Sequence, residues 1–275
     1  MGPDRGSHAT VVLPVGEVVP DHREDRRACT VHLRPRRATA LGSDHMTAPG
    51  GGAVSVVVFD VNETLSDLEP LRECFTAAGA PGDLLDTWFA STLRDGFALA
   101  AAGAVASFPQ VGAGALRYLL AGRGGLTVPI EELVGSVLAG FTTLELHPDV
   151  VAGMRALADA GVRLVTLTNG SAALAARLFD RAGVADLVER RLSVDEAGHW
   201  KPHPASYAYA AQQCGVPLEQ MCLVAVHPWD TDGAKRAGMR SGWLNRHDAP
   251  YPEVFVPADA TASTLPALAA AVLAL

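Results

Sequence analysis

Residues 56–65 read VVVFDVNETL, and this stretch decides the fold. Its first four residues are apolar, three of them are β-branched, and the run ends at Asp60. A continuous apolar run of this kind is typical of a strand buried on both faces of a parallel sheet. Because open α/β sheets bind ligands at the carboxyl ends of their strands, Asp60 is a candidate nucleophile. The open alternative is that Asp60 only caps the next turn.

The rest of the chain alternates predicted strands with predicted helices. Strands are expected at 162–168, 221–226 and 241–245, with a short strand in 187–193, and helices are expected at 149–160, 172–182, 205–214, 232–237 and 265–273. Residues 68–146 read mainly as helices, with an apolar stripe at helical spacing in 84–93. Alternating strands and helices predict a parallel sheet with right-handed crossovers.

Composition narrows the function classes. The chain has 275 residues, nearly half of them apolar, and a formal charge of −8. The acidic balance disfavours general nucleic-acid binding, which needs a basic surface. No apolar run approaches the ~20 residues of a membrane span. The four cysteines lack metal-type spacing and read as reduced thiols, which predicts a cytoplasmic protein.

Residues 1–52 differ from the remainder of the chain. They mix arginine pairs, prolines, glycines and acids without sustained periodicity. This composition predicts a disordered extension or a cloning-derived segment outside the fold. A partner-binding arm is the functional alternative, and we consider it the weaker one.

Four motifs, in order, resemble those of the haloacid dehalogenase (HAD) superfamily. Asp60 to Thr64 match D-x-x-x-T, and residues 166–170 (TLTNG) resemble the second motif, a strand that ends in Ser or Thr. Residues 201–204 (KPHP) resemble the third motif, and residues 224–230 (VAVHPWD) resemble the fourth. Each motif alone is weak, but four in this order with suitable spacing are specific. The resemblance runs from about residue 54 to the C-terminus.

The resemblance implies an α/β fold, with a HAD-like Rossmannoid parallel sheet core and an inserted helical cap domain. Residues 53–67 and 147–275 would form the core domain, and residues 68–146 the cap. Such a cap closes over the active site and excludes water.

The resemblance also implies roles for individual residues. Asp60 would be the nucleophile, Lys201 would keep its carboxylate ionised and aligned, and Asp230 would anchor Lys201 or the hydrolytic water. The chemistry would be covalent catalysis through an aspartyl intermediate. Lys201 is one of only two lysines in the chain, which favours a required point charge over chance. His227, within the fourth motif, could activate the water or could be a polar wall residue.

Two positions separate this chain from the phosphatases of the superfamily. Those phosphatases have a second aspartate where this chain has Asn62, and a further magnesium-binding acid where it has Val226. An amide cannot act as a general acid, and a valine cannot bind magnesium. Tyr207, six residues after Lys201, and the Trp229–Asp230 pair are instead similar to the type II (L-2-)haloacid dehalogenases.

The chain also departs from that branch. Characterised members have an aromatic residue at position 62, glycine at position 63 and a halide-binding arginine where this chain has Phe89. Arg94, five residues further on, either substitutes for that arginine or is a solvated helix residue. The predicted substrate-binding residues follow from the motifs and the cap helix. They are Asn62, Thr64, Thr168, Asn169, Tyr207, Phe89 and Arg94.

We therefore expect a metal-independent hydrolase that releases halide from short 2-haloalkanoic acids. No cofactor and no metal are implied, and the partner is a small halogenated carboxylic acid, with no nucleic acid and no membrane. Cap-mediated homodimers are common among the relatives. The alternatives are a magnesium-dependent small-molecule phosphatase and a catalytically weak HAD scaffold that binds without turnover.

Overall fold

The apolar run of residues 56–59 forms the central strand of a parallel sheet. The computed structural model describes residues 53–275. The predictions made for residues 1–52 lie outside the described residues. The strands are β1 (Val56–Phe59), β2 (Arg163–Thr168), β3 (Val188–Ser193), β4 (Met221–Ala225), β5 (Arg240–Leu244) and β6 (Ala260–Ala262). Their order is β3-β2-β1-β4-β5-β6, and every neighbouring pair is parallel.

Helices fill the connections between the strands. The helices between β1 and β2 are α1 (Arg72–Ala77), α2 (Leu84–Ala101), α3 (Phe108–Leu120), α4 (Ile130–Gly140) and α5 (Val150–Asp159). Those that follow are α6 (Ala172–Ala182), α7 (Val194–Ala197), α8 (Pro204–Cys214), α9 (Pro228–Ala237) and α10 (Leu265–Leu273). The predicted α/β fold with a parallel sheet and helical insertion is confirmed. None of the helices in the described part combines the length and apolarity needed to cross a membrane.

Alternate residues of β1 enter two separate cores. Val56 and Val58 pack in a core that extends to α2, α3 and α8, whereas Val57 and Phe59 pack in a core that includes α5, α6 and α10. Side chains of a strand point alternately to opposite faces, so β1 is covered on both sides. This burial explains why the strand is a continuous apolar run.

The register of the central strands brings the motifs to one edge of the sheet. Phe59 pairs with Thr166 of β2 and with Val224 of β4. The carboxyl ends of β1, β2 and β4 therefore lie side by side. Parallel pairing thus places Asp60, the residues after β2 and the fourth motif together, as the open-sheet rule predicts.

Three elements differ from the sequence prediction, and one of them is the four-residue helix α7, which was not predicted. Helix α9 begins at Pro228 rather than at Asp232, because proline is accepted at the first position of a helix. Strand β6 was not predicted, since three residues of alanine and threonine carry no clear strand signal. The additional strand β6 extends the edge of the parallel sheet, and the order of the predicted strands is unchanged.

Trp200 joins helix α2 to the loop that carries Lys201. Its indole Nε1 donates to the carbonyl of Ala106 over 2.9 Å, and its ring stacks on Phe108 with centroids 6.0 Å apart. Gly96 of α2 lies against the ring so closely that a Cβ there would clash with it. The helical segment, residues 68–146, is thereby packed directly on the loop that carries Lys201.

The packing of Gly96 on Trp200 predicts that a single methyl group added at position 96 lowers the stability of the fold. Gly96→Ala should lower the free energy of unfolding by about 1–3 kcal/mol through overpacking. Gly114→Ala in α3 is the matched control, because nothing lies within 4 Å of its added Cβ. It should leave stability unchanged or raise it by up to about 1 kcal/mol. Urea unfolding measures both, and equal effects of the two changes would contradict the packing described.

Candidate active site

Both oxygens of the Asp60 carboxylate are held by neighbouring side chains. Nζ of Lys201 donates to Oδ1 over 2.9 Å, and Oγ1 of Thr64 donates to Oδ2 over 2.6 Å. The Thr64 hydroxyl in turn accepts from the backbone N–H of Val226 over 3.1 Å. Only 6% of the Asp60 side chain is exposed. The carboxylate is therefore fixed in orientation at the end of a rigid strand.

Lys201 connects Asp60 to a second buried carboxylate. Its Nζ lies 2.6 Å from Oδ2 of Asp230, and neither side chain is exposed. The other oxygen of Asp230 accepts from the Tyr207 hydroxyl over 2.7 Å. Tyr207 was predicted to bind substrate, but the structure places it behind Asp230, where it orients that carboxylate. Asp230 therefore anchors the lysine, one of the two roles expected for it.

Asn169 fixes the backbone of the lysine loop. Its Oδ1 accepts from the backbone N–H of Lys201 over 2.9 Å, and its Nδ2 donates to the carbonyl of Lys201 over 3.3 Å. Asn169 therefore holds the lysine loop in place, and its contact with substrate stays a prediction. The N-cap of α6 is Ser171, whose side chain accepts from the backbone N–H of Leu174.

The charges of the site reinforce one another. Burial alone would raise the pKa of Asp60, but Lys201 and His227 outweigh it and the pKa lies below its ordinary 3.8. Burial alone would lower the pKa of Lys201, but Asp230 and Asp60 hold it above its ordinary 10.5. Burial raises the pKa of Tyr207 well above its usual range, so the phenol stays protonated and donates a hydrogen bond to Asp230. The Asp60 carboxylate is thus ionised beside an ammonium group.

A pocket lies between the residues that follow β1 and β2 and the helical segment, and neither Asp60 nor Lys201 is among the residues that line it. Its polar end is formed by Asn62, Thr168 and Gly170. The Thr168 hydroxyl accepts from the N–H of Gly170 over 2.9 Å, and a Cβ at Gly170 would lie 3.3 Å from Nδ2 of Asn62. The apolar wall includes Phe108, Phe141 and Leu174. The structure thus brings two predicted substrate residues, Asn62 and Thr168, into one corner.

Aromatic rings enclose His227 beside Asp60. Phe89 of α2 stacks on the imidazole with centroids 6.2 Å apart, and Trp229 stacks on it at 5.1 Å. Nε2 of His227 lies 3.7 Å from Oδ2 of Asp60. Phe89, which stands where the resemblance implies a halide-binding arginine, therefore contacts the site through an apolar ring.

Arg94 is not brought to this cluster. Its side chain is 63% exposed and pairs with Asp95 over 2.8 Å. Of the two interpretations of Arg94, the structure therefore agrees with the solvated helix residue. The substitution of this arginine for the one missing at position 89 has no support in the described geometry.

The contacts that hold the loop after Asp60 in place were not predicted from the sequence. Glu63 has a φ of +62°, a conformation that favours glycine. His147 contacts the carbonyl of Glu63 at 3.1 Å, and Arg246 donates to the carbonyl of Thr64 over 3.0 Å while it pairs with Asp149. The signal available in the sequence was the replacement of a family glycine by Glu63.

The donor set beside Asp60 does not fit a magnesium ion. The position that supplies a second carboxylate in phosphatases is Val226, and both oxygens of Asp230 are already bonded to Lys201 and Tyr207. Magnesium prefers several oxygen ligands in octahedral geometry. Across residues 53–275, no group of three or more His, Cys, Asp or Glu side chains is arranged to hold a metal.

Comparison with known proteins agrees with this arrangement. The model of the haloacid dehalogenase-like hydrolase family matches residues 54–238. The chain belongs to the haloacid dehalogenase-like hydrolase family. Haloacetate dehalogenase H-2 of Moraxella sp. (strain B) is 27% identical over 220 residues, which cover 78% of this chain and 96% of the relative. An (S)-2-haloacid dehalogenase of Xanthobacter autotrophicus is 30% identical over 188 residues, which cover 67% of this chain and 72% of the relative.

A solved structure of this hydrolase family has the same fold. It is the L-2-haloacid dehalogenase from Xanthobacter autotrophicus with chloropropionic acid covalently bound. The likeness has a TM-score of 0.70 at 25% identity and covers 79% of this chain and 97% of the other. The recognition of the family from its motifs is therefore confirmed.

The hydrogen bond from Tyr207 to the buried Asp230 predicts a measurable stability effect. Tyr207→Phe should lower the free energy of unfolding by about 1.5–3 kcal/mol, because a charged acceptor loses its donor. Tyr209→Phe in the same helix α8 should change it by less than about 0.5 kcal/mol. Thermal and urea unfolding of both variants test this, and similar losses would refute a special role for Tyr207.

Proposed function

We propose that the protein is a hydrolytic dehalogenase that acts on short 2-haloalkanoic acids through an aspartyl-ester intermediate and without a metal. One observation carries this proposal. The ammonium group of Lys201 lies 2.9 Å from the Asp60 carboxylate, and Asn62, two residues after Asp60, lines a pocket together with Thr168 and apolar side chains. The names and the bound ligand of the relatives support the same chemistry.

Two steps account for the reaction. In the first, an oxygen of Asp60 bonds to the carbon that bears the halogen, and the halide leaves with the electron pair of the broken bond. This step needs no proton donor, so Asn62 in place of an acid is no obstacle. In the second, water attacks the ester and releases a 2-hydroxy acid, the carboxylate of Asp60 and a proton.

The residues around Asp60 have distinct roles in this scheme. Lys201 keeps the nucleophile ionised, while Thr64 orients it. Thr168 and the amides at the start of α6 bind the substrate carboxylate, since a helix N-terminus favours anions. Asn62 and Phe89 border the reacting carbon, and His227 lies where it can accept a proton from water.

The helical segment 68–146 acts as the cap domain in this proposal, and residues 53–67 with 147–275 act as the core. Contacts of Phe89, Phe108 and Trp200 join the two and support closure over the pocket. Cys74, Cys214 and Cys222 are free thiols, which supports a cytoplasmic location. A homodimer is proposed from the resemblance to the family alone.

Halide release tests the function directly. The wild-type protein should release one halide per molecule of 2-chloropropionate consumed, at the same rate with and without a chelator. Asp60→Asn should abolish release, because an amide is a poor nucleophile, and Asp67→Asn is the control for the same change outside the cluster. Chelator-sensitive hydrolysis of an aryl phosphate would favour the phosphatase, and no turnover of either class would favour the non-catalytic scaffold.

The charges of the site predict the pH dependence of the first step. The pKa of Asp60 lies below 3.8 and that of Lys201 above 10.5. The half-maximal points of ester formation should therefore lie below pH 3.8 on the acid side and above pH 10.5 on the alkaline side. Rapid-quench measurements across the range where circular dichroism shows the fold intact test this. A half-maximal point of ester formation near neutral pH would contradict the assigned pair.

A further inference from the structure

The pocket that Asn62 and Thr168 line is polar at one end and apolar inside. Gly170 and Ser171 complete the polar end. Most of the inner wall consists of large apolar side chains, among them Phe108, Leu138, Phe141, Leu144, Leu174 and Leu178. Among the described residues, no Asp, Glu, Lys, Arg or His side chain lines this pocket. Because an unpaired charge is costly to bury, the interior accepts only an uncharged group.

Both the helical segment and the sheet domain contribute to this inner wall. Phe108 is the first residue of α3 and Phe141 follows the last residue of α4, and their rings meet edge to face with centroids 5.6 Å apart. Leu174 and Leu178 line the pocket from α6, one helical turn apart. Atoms that border an empty apolar space lose contacts on one side. An apolar ligand in the pocket would restore them.

The size of the pocket suits a short chain. Its volume, counted for the centres of water-sized groups, is about 50 Å³. One such group needs about 10–15 Å³ on this count, so about three to five groups of the size of a methylene fit. A side chain of about four carbon atoms would therefore fill the interior.

The polar end offers hydrogen-bond donors that the protein itself does not use. The Thr168 hydroxyl accepts from the N–H of Gly170 over 2.9 Å, and within residues 53–275 it donates to no acceptor. The side-chain amide of Asn62 also has no hydrogen bond in this part of the chain, whereas its backbone carbonyl contacts His227. Free donors beside the N-terminus of α6 suit a carboxylate.

The polar end also lies close to the residue that would attack the substrate. Val61 and Asn62 follow Asp60 directly, and both line the pocket. Cα atoms two residues apart are separated by at most about 7.6 Å. In a 2-haloalkanoic acid, the carbon that bears the halogen also carries the carboxylate and the side chain. A carboxylate held at Thr168 therefore leads the side chain into the apolar interior.

We propose that this pocket binds the side chain of the substrate and that the preferred substrates are 2-haloalkanoic acids with an uncharged side chain of about four carbon atoms, such as 2-bromohexanoate. This inference rests on the proposed function, because it places the carbon that bears the halogen at Asp60. A one-carbon side chain, as in 2-chloropropionate, leaves most of the interior empty.

Halide release from 2-bromo acids of increasing length tests the proposal. From 2-bromopropionate to 2-bromohexanoate, kcat/KM should rise about fourfold for each added methylene, because each one leaves water for an apolar wall. 2-Bromodecanoate should gain nothing further, since the interior is already full. 2-Bromohexanedioate has the same length but ends in a carboxylate, and its kcat/KM should be about 100-fold below that of 2-bromohexanoate. A kcat/KM that varies less than about twofold across these acids would overturn the proposal.

A larger side chain at position 138 should shorten the pocket. Leu138 of α4 is half-buried, so Leu138→Phe adds volume at a site that is not fully enclosed. The ratio of kcat/KM for 2-bromohexanoate to that for 2-bromopropionate should fall about tenfold. Leu119→Phe in α3 is the matched control, because Leu119 is also half-buried against the same core but does not line the pocket.

The ratio compares two substrates of one variant, so a general loss of folded protein cancels from it. Leu138→Ala should have the opposite effect and move the optimum to a longer side chain. Equal ratios in Leu138→Phe and Leu119→Phe would contradict the assignment of the pocket.

Binding of acids without a halogen separates this proposal from the proposed function. In calorimetric titrations, hexanoate should bind about 60-fold more tightly than propanoate, and Leu138→Phe should remove most of the difference. If this holds but no haloacid releases halide, the dehalogenase function is wrong and the binding site stands. If all chain lengths release halide equally and both acids bind equally, the binding site is wrong and the dehalogenase function stands.

Discussion

A fully buried ammonium group between two carboxylates holds this molecule's active site together. Removing Lys201 from water is unfavourable, and the cost is offset only because Asp60 and Asp230 both lie within 3 Å and Tyr207 satisfies the remaining acceptor. Such a group contributes little net stability compared with a well-packed apolar core. Its presence is explained by chemistry, since it keeps a carboxylate ionised in a shielded site.

The same ammonium group explains why the neighbouring residues can differ from those of the phosphatases. A phosphatase of this superfamily needs a metal to balance the charge of the aspartate that corresponds to Asp60 and the charge of the transferred phosphoryl group. Here Lys201 supplies a positive charge to Asp60 directly, so Val226 and Asn62 can replace acids. Phe89 and Trp229 both stack on His227 beside Asp60, so this part of the site is aromatic.

Sequence could predict the parts of the structure that follow from local pattern. The fold could be predicted from the β-branched run before Asp60 and from the alternation of strands and helices. The four ordered motifs were sufficient to select Asp60, Lys201 and Asp230. The partners of Asn169 and Tyr207 could not be predicted, because short polar side chains bond to groups that only the tertiary structure brings near. Arg94 shows the converse, since a residue one and a half helical turns from the expected position faces solvent and binds Asp95.

The loop after Asp60 shows where local rules and function diverge. Local preference favours glycine at position 63, and the chain has a glutamate there whose carboxylate faces His227. Strain of this kind is retained only when surrounding contacts enforce it, and His147 and Arg246 do so. The departure from the family glycine at this position therefore depends on contacts from outside the loop.

The most direct test of the central claim is a single turnover of a 2-haloalkanoic acid in water enriched in oxygen-18. If Asp60 attacks carbon and water then cleaves the ester, the heavy oxygen must appear in the carboxylate of Asp60, and the hydroxy acid must carry an oxygen that came from the protein. Heavy oxygen in the hydroxy acid with none in Asp60 would mean that water displaces the halide directly, and it would contradict the account.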